Sequence, residues 1–341
     1  MPTYRAAVIG CGRAGTSPGV AEGHAIGYHH ARGYQANEQV RLVAAADVDP
    51  ANLAAFAKTF GVPATYQDYQ QMLETEHPDL VSVCTWPPLH PEMVIAAARA
   101  GVKGVLCEKP MALGLGEADR MLVACAESGA VLCINHQRRL VPPWTSARAW
   151  LEAGQIGQLL RMDAWVGGGW DLLSWGTHWV DMCFAFTGDR PARWVFAQID
   201  RTNHQRRYGH PVEDRSLTMV GFDRDITGLL HLAPEAPSGA GMRLIGSAGQ
   251  IDLHEGQQPR LISAQQGPGL LEPAPRQDGF AAAVQDLIAS LESGREPELS
   301  GVHGRRATEV IMAAYASGLQ RRLIPLPYEQ PAFPLLPGLM G

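Results

Sequence analysis

The stretch that decides the fold is Val8-Ile9-Gly10-Cys11-Gly12-Arg13-Ala14-Gly15, in which three glycines follow an apolar run. In the pattern G-x-G-x-x-G, the first glycine, Gly10, permits a tight turn, and the second, Gly12, lets a pyrophosphate approach the backbone. The third, Gly15, lets the following segment pack closely on the strand. The pattern therefore predicts a strand and turn that bind a dinucleotide.

A carboxylate ends the second apolar run, Val43-Ala44-Ala45-Ala46-Asp47. An acid at this position accepts hydrogen bonds from the adenosine ribose hydroxyls and repels a 2′-phosphate, so Asp47 favours NAD over NADP. Gly15 and Asp47 are 32 positions apart (15 to 47), roughly ten more than is usual for this fingerprint. The excess falls in residues 16–23, which leaves open whether NAD is a co-substrate or a resident cofactor.

Short apolar runs alternate with helix-like segments up to about residue 135. Runs that are apolar throughout predict strands buried on both faces, and strict alternation with helices predicts a parallel, doubly wound sheet. The predicted strands are 5–10, 40–47, 80–84, 104–107 and 131–134, and the predicted helices are 24–36, 51–60, 92–100 and 117–128.

The rhythm changes after residue 135, where β-rich stretches follow one another with few helices between them. Such a succession predicts one mostly antiparallel sheet. The predicted strands are 159–166, 194–200, 216–222, 226–232, 242–246 and 250–253, and the predicted helices are 144–153, 177–186, 280–291 and 305–322. The fold class is therefore α/β plus α+β. A Rossmann domain spans residues 1–135, and a second domain spans 136–341, whose C-terminal helix and tail are free to pack back on the first.

Composition excludes several classes of protein. A chain of 341 residues exceeds the usual size of one hydrophobic core, and 46% hydrophobic with 18% charged residues is typical of a globular enzyme. A net charge of −6 is unsuited to a polyphosphate backbone, so no nucleic-acid partner is expected. Without a run of eighteen apolar residues or a signal peptide, we expect no membrane partner and a cytoplasmic location. The six cysteines form no C-x-x-C pair, so we expect buried reduced thiols and no metal site.

Three further segments carry a family resemblance. They are Thr85-Trp86-Pro87-Pro88-Leu89-His90, Cys107-Glu108-Lys109-Pro110 and Ile245-Gly246-Ser247-Ala248-Gly249. With the glycine pattern, they make the chain resemble the Gfo/Idh/MocA family of glucose-fructose oxidoreductases and inositol dehydrogenases over nearly its whole length. The first segment is similar to the family's loop beside the nicotinamide, and the second matches its Glu-Lys-Pro signature. The residues this implies for cofactor binding are Gly10, Gly12, Arg13, Ala14, Gly15, Asp47, Thr85, Trp86, Pro87, His90, Glu108 and Lys109.

Lys109 is the first candidate catalytic residue. It follows a predicted strand at the carboxyl edge of the parallel sheet, where open α/β sheets bind ligands. A lysine there is a compact cation that can hydrogen-bond a substrate hydroxyl and stabilise its alkoxide as hydride leaves. The alternative is a surface lysine near a turn.

His178 is the second candidate, because Gly176-Thr177-His178-Trp179-Val180-Asp181 resembles the family's Asp-x-Gly-x-His-x-x-Asp. The resemblance implies an acid/base role, which suits an imidazole near neutral pH. Ser174 stands where the first aspartate is expected, and Asp171, three residues earlier, is the alternative carboxylate, although its register is wrong for a direct swap. The alternative is a helix-capping or core histidine.

Further candidates for the substrate pocket are less strongly indicated. Arg138 and Arg139 follow the sixth predicted strand, where the family often places a substrate-facing arginine. Tryptophans at 165, 170, 175 and 179 could form a carbohydrate platform, although such residues more often belong to a core or an interface. The substrate-binding residues predicted on these grounds are Arg138, Ser174, Trp175, Asp181 and Tyr208.

Three functions fit these features. The first is a dehydrogenase of a sugar, glycoside or cyclic polyol, with Lys109 and His178 as the proton-transfer pair and NAD as hydride acceptor. The second is a glycosidase with resident NAD that works by transient oxidation, elimination, hydration and reduction. The third is a non-catalytic sensor, which has no need of such a pair. The resemblance also implies a homodimer or homotetramer that associates through the second domain.

Overall fold

The computed structural model describes residues 4–12, 25–263, 267–270 and 277–334. The chain divides into two compact units. The first unit comprises Met1–Gln137 and Gln277–Arg305, and the second comprises Arg138–Arg276 and Arg306–Gly341.

The first unit is built on a sheet of parallel strands. Those in the described residues are β1 (Tyr4–Ile9), β2 (Val40–Ala46), β3 (Ala64–Tyr66), β4 (Leu80–Val83), β5 (Gly104–Cys107) and β6 (Val131–Ile134). Their order across the sheet is β3-β2-β1-β4-β5-β6. This order reverses direction between β1 and β4, so the carboxyl ends of these two strands mark the switch point where doubly wound sheets bind ligands. The predicted parallel, doubly wound sheet is confirmed.

Helices follow the strands of this sheet. They are α1 (Ile26–Gln35), α2 (Pro50–Phe60), α3 (Tyr69–Glu76), α4 (His90–Arg99) and α5 (Leu115–Ser128). Local sequence fixes their ends: the Asp49 side chain accepts hydrogen bonds from the backbone N–H groups of Ala51 and Asn52 at the start of α2. The prediction missed β3 and α3, because β3 has three residues and α3 is mostly polar.

The second unit contains a larger, mostly antiparallel sheet, as predicted. The remaining strands are β7 (Leu159–Val166), β8 (Ala192–Asp200), β9 (Arg206–Arg207), β10 (His210–Pro211), β11 (Arg215–Phe222), β12 (Thr227–Leu232), β13 (Ala240–Gly246), β14 (Gly249–His254), β15 (Arg260–Ser263), β16 (Gly267–Leu270) and β17 (Ile324–Pro325). In the described part of the chain the sheet order is β16-β15-β14-β13-β7-β12-β11-β8-β17, and only β7 and β12 run parallel. Strands β9 and β10 form a separate hairpin.

The remaining helices are α6 (Trp144–Glu152), α7 (Thr177–Thr187), α8 (Gly279–Ser293) and α9 (Gly301–Gln320). A single π-helical turn, Leu172–Gly176, directly precedes α7. Within the described ranges, none of the helices combines the length and apolar character that a bilayer span requires. All six cysteines are buried and free, which confirms the prediction of reduced thiols.

Helix α8 lies in a different unit from the one predicted. The predicted division placed every residue from 136 onward in the second domain. Residues 277–305 belong to the first unit instead. The Phe280 ring stacks on His29 of α1, with ring centres 5.1 Å apart. Gly33 lets the helices approach, because a Cβ there would lie 2.9 Å from the Phe280 carbonyl, and Leu287 fills the space beside Gly104 of β5. Small residues in α1 and β5 therefore create the surface on which α8 packs.

Candidate cofactor site and catalytic side chains

The glycine turn follows β1 at the switch point of the sheet. Gly10 has a φ of +96°, and a Cβ there would lie 2.8 Å from the carbonyl carbon of Cys84, so only glycine fits. Among the described residues, no atom would lie within 4 Å of a Cβ on Gly12, so none of them blocks the approach of a group to the backbone there. This is the geometry that a dinucleotide pyrophosphate needs.

The close helix packing predicted for Gly15 is provided by Gly27. Gly15 lies outside the described residues, as do Arg13, Ala14 and the extra loop at 16–23. In α1, a Cβ on Gly27 would lie 2.4 Å from the carbonyl oxygen of Gly10. Gly27 and Asp47 are 20 positions apart (27 to 47), which is the usual fingerprint spacing. Measured from Gly27 instead of Gly15, the distance to Asp47 along the sequence therefore has no excess over the usual spacing.

Asp47 is fixed at the carboxyl end of β2. Its Oδ2 accepts a hydrogen bond from the Cys11 N–H at 2.7 Å, and its Oδ1 accepts one from the Asp49 N–H at 2.9 Å. Asp47 borders a mostly apolar cleft of about 100 Å³ in the first unit. The lining residues are Ile9, Gly10, Ala46, Asp47, Val48, Gln67, Tyr69, Thr85, Leu89 and Met93. The open glycine backbone and a carboxylate beside an apolar cleft fit an adenosine dinucleotide.

The loops after β4 and β5 are joined by His90. Its Nδ1 lies 2.9 Å from the carbonyl oxygen of Pro110, and its Nε2 lies 3.0 Å from that of Thr85. The ring is fully buried, and burial lowers the pKa of His90. Both ring nitrogens of His90 face backbone carbonyls, so neither is available for the cofactor contact predicted for this residue. His90 instead holds together the loops that carry Thr85 and Lys109.

Glu108 and Lys109 follow β5 at the same edge of the sheet. Lys109 is half-buried, whereas Glu108 is buried and its Oε2 accepts a hydrogen bond from the Lys109 backbone N–H at 3.2 Å. Burial alone would raise the pKa of Glu108, but the hydrogen bond and charge of His30, with the charge of Lys109 and a hydrogen bond from Asn135, lower it to about 2. Glu108 is therefore an ionised carboxylate inside the first unit.

The first turn of α7 in the second unit carries His178, which is buried against the edge of Trp175 with ring centres 6.1 Å apart. Ser174 lies in the π-helical turn and is completely buried. Asp171 caps this turn: its Oδ1 accepts the Ser174 N–H at 2.7 Å, and its Oδ2 lies 3.3 Å from Nε of Arg207. Asp171 thus supports the backbone before His178, and π-helical turns often occur at functional sites.

Asp181 has a different role from the predicted substrate contact. Its two carboxylate oxygens lie 2.8 and 3.0 Å from Nε of Arg139, and Arg139 also donates two hydrogen bonds to Asp189. Asp181 and Arg139 are both almost completely buried. The oxygens of Asp181 are therefore paired with a buried cation, and this ion pair fixes α7.

Arg138 faces an aromatic and acidic environment within the second unit. Its guanidinium carbon lies 4.7 Å from the ring centre of Trp179 and 5.4 Å from that of Trp175, and Nε donates to Glu255 at 2.7 Å. Cation–π contacts hold the guanidinium plane against the two indoles. Arg138 and Trp175 are therefore in contact within the second unit.

Three of the four tryptophans of the predicted carbohydrate platform are linked by contacts, because Trp170 packs on Trp175 and Arg138 lies over both Trp175 and Trp179. Trp165 lies on β7 against His254, Trp170 packs on Trp175 and under Arg207, and Trp179 is fully buried. Of the remaining candidates, Tyr208 occupies the turn between β9 and β10 with a φ of +47°. Trp86 lies in the loop after β4 with its side chain exposed, beside a buried Pro87.

Comparison with known proteins identifies the family. Residues 4–136 match the model GFO_IDH_MocA, described as an oxidoreductase family with an NAD-binding Rossmann fold. The chain is 26% identical to the myo-inositol 2-dehydrogenase of Thermotoga maritima, over 94% of this chain and 98% of the relative. It is 24% identical to the D-apiose dehydrogenase of Paraburkholderia graminis, over 95% of this chain and 90% of the relative. Residues 4–136 therefore belong to the NAD-binding Rossmann domain of the Gfo/Idh/MocA oxidoreductase family.

Solved structures agree on the fold of this chain. The structure of levoglucosan dehydrogenase in complex with NADH and levoglucosan matches it with a TM-score of 0.82 at 20% identity, covering 95% of this chain and all of that one. The match extends over both units of the chain, so the antiparallel second unit is shared as well as the Rossmann unit.

Sequence reasoning missed one buried acidic residue of this chain, Glu213. Its Oε1 accepts the Leu172 N–H at 2.6 Å, and its Oε2 accepts the Tyr315 hydroxyl at 2.9 Å. Burial and then the charge of Asp171 raise the pKa of Glu213 to about 7. No local pattern predicts the contacts of Glu213, because Leu172 and Tyr315 lie in distant parts of the sequence and only the fold brings them to it.

Proposed function

We propose that this protein is an NAD-dependent oxidoreductase that transfers a hydride between the nicotinamide and a hydroxyl-bearing carbon of a sugar, glycoside or cyclic polyol. The observation that carries the proposal is the position of Lys109. It follows β5, next to β4 in the sheet, and His90 ties its loop to Thr85, which lines the cleft beside Asp47. A cation is thus held at the edge of the sheet where the dinucleotide fits.

Each proposed catalytic residue has one role. Lys109 donates a hydrogen bond to the substrate oxygen and stabilises negative charge that develops on it. His178 accepts the hydroxyl proton, and Trp175 beside it presents an apolar ring to the substrate. Arg138 orients a substrate hydroxyl from its position over the two indoles. When bound, NAD supplies the hydride acceptor.

A panel of polyols, aldoses and glycosides tests this function. The purified protein is first examined for co-purified dinucleotide and then incubated with each compound and NAD, with formation of NADH followed by absorbance. We expect NADH to form with at least one sugar or cyclic polyol. Aryl glycosides in the same panel test the glycosidase alternative, which requires release of the aglycone without net NADH. Release of aglycone from protein freed of dinucleotide would contradict both mechanisms.

Replacement of Asp47 by Ser is expected to relax the preference for NAD. The carboxylate no longer repels a 2′-phosphate, while the Ser hydroxyl still accepts a backbone hydrogen bond. Like-charge contacts cost several kcal/mol, so the kcat/KM ratio of NAD over NADP should fall by about 100-fold. The matched control is Asp49→Ser, which keeps the cap of α2. An unchanged cofactor ratio in the Asp47 variant would remove this residue from the cofactor site.

We further propose that the protein forms a homodimer or homotetramer through the exposed face of its larger sheet. Met219 lies opposite Phe196 and Leu217 opposite Gln198, and the three apolar side chains are each 37–45% exposed. Adjacent apolar side chains on an open sheet are typical of an interface. Each copy of the chain presents the same apolar face, so two copies can pack these faces together about a two-fold axis.

Leu217→Arg tests this assembly. A charge placed in the apolar stripe is expected to convert the oligomer into monomers, measured by light scattering after size-exclusion chromatography. Gln198→Arg is the matched control, since Gln198 is the cross-strand neighbour of Leu217. A wild-type protein that is already monomeric at micromolar concentration would refute the interface.

A further inference from the structure

A buried chain of hydrogen bonds runs through the first unit to the residue before Lys109. Tyr34 Oη and Ser82 Oγ are 2.7 Å apart, Ser82 Oγ and His30 Nδ1 are 2.9 Å apart, and His30 Nε2 and Glu108 Oε1 are 2.9 Å apart. The first three residues are completely buried, and Glu108 is 5% exposed. Asn135 Nδ2 donates to the same Oε1 at 2.7 Å.

The charge of Glu108 determines which partner is the donor in its hydrogen bond with His30. Its low pKa keeps it an acceptor, so Nε2 of His30 must carry a proton. On its other side, His30 Nδ1 lies 2.9 Å from Ser82 Oγ, and the Ser82 hydroxyl donates to Tyr34 Oη. The His30 ring is therefore held between Ser82 and the Glu108 carboxylate, with both of its nitrogens in hydrogen-bonding contact.

His30 also connects Glu108 to the glycine turn. It lies three residues after Gly27, so both side-chain positions are on the same face of α1. Gly27 packs on the Gly10 carbonyl, and His30 donates to Glu108, whose other oxygen accepts the Lys109 N–H. One turn of α1 thus joins the turn that fits the dinucleotide to the loop that carries the lysine.

We propose that His30, through the hydrogen bond from its Nε2 to Glu108, is a positioning residue that holds Lys109 in register with the glycine turn. The inference rests on the proposed function for the role of Lys109. It assigns no contact between His30 and the substrate.

His30→Gln tests the inference, because its amide can still donate toward Glu108 and avoids leaving a buried carboxylate without a partner. We expect a folded protein whose affinity for NAD, measured by tryptophan fluorescence, stays within about threefold of wild type. Small displacements of catalytic groups are costly, so kcat should fall by about tenfold or more with KM for NAD unchanged. Gln35→Leu is the matched control, since it removes another hydrogen bond of α1, from Gln35 Nε2 to the Phe60 carbonyl at 3.0 Å.

The outcomes separate the hypotheses. If the role of His30 is purely structural, both variants should lower the melting temperature and neither should change kcat per NAD-binding site. That result would overturn the inference. If Lys109→Ala retains full turnover, the proposed function fails instead. A readout without substrate is the ¹⁵N spectrum of the imidazole rings, with His30 assigned by its loss in His30→Gln. We expect a proton on Nε2, and a ring protonated on Nδ1 alone would contradict the proposal.

Discussion

Lys109→Ala is expected to lower kcat by about a thousandfold while the affinity for NAD changes by less than about threefold. The substrate oxygen loses the cation that stabilises its developing negative charge, and electrostatic contributions of this kind are usually the largest single term in catalysis. Only the side chain beyond Cβ is removed, so the backbone N–H that Lys109 donates to Glu108 remains. Steady-state kinetics with the substrate found in the panel, combined with fluorescence titration of NAD, measures both quantities.

Lys103→Ala is the matched control for this variant. Lys103 precedes β5 as Lys109 follows it, but it lies at the opposite edge of the sheet, pairs with Asp79 at 2.9 Å and is 61% exposed. Exposed ion pairs contribute little to stability, so its removal should leave kcat and NAD affinity unchanged. Equal turnover in the two variants would exclude Lys109 from the chemistry.

Glu213→Gln is expected to stabilise the protein at alkaline pH. The pKa of Glu213 is raised to about 7 in the folded chain from an ordinary value of 4.5, because burial and the Asp171 charge disfavour ionisation. Below the unfolded pKa both states are protonated and no stability is lost. As pH rises through the folded pKa, stability is lost progressively and the loss is complete above it, reaching about 3 kcal/mol for a shift of this size. Gln stays neutral and avoids this loss.

Urea unfolding of wild type and Glu213→Gln at pH 5 and pH 8 measures the effect. The free energy of unfolding of the variant should exceed that of wild type clearly at pH 8 and only slightly at pH 5. Glu235→Gln, which replaces a half-exposed carboxylate of the same unit, should give the same difference at both pH values. Asp171→Asn should move the pH of the transition downward, since it removes the like charge. A pH-independent advantage in Glu213→Gln would show that its carboxyl does not titrate in this range.

Local patterns predicted five of the six described strands of the first unit's sheet, each with bounds within one residue of those observed, and missed β3. Strand β5 was predicted with its observed bounds, because a strand buried on both faces is apolar throughout and glycine or polar residues bound it. The Asp47 position and the glycine turn were likewise local features. The short, polar α3 was missed for the same reason, since its sequence carries little hydrophobic signal.

Long-range contacts could not be predicted from such patterns. Nothing in the sequence of α8 indicates that it packs beside Gly33 and Gly104, nor that Asp181 is paired with an arginine 42 positions earlier. The same holds for Glu213, whose hydroxyl partner on α9 is 102 positions away. These contacts depend on sheet register and helix packing. Which residues are candidates for the site can therefore be decided from them only once the fold is known.

Because Gly27 packs directly on Gly10, this contact does not depend on the number of residues between Gly12 and α1. The helix is anchored by its own glycine, so residues between Gly12 and α1 can be gained or lost without moving Asp47 or β2. Closing a longer loop is inexpensive, at about 0.6 kcal/mol for each doubling of its length. The number of residues between Gly12 and α1 can therefore vary while the framework of β1, β2 and α1 stays the same.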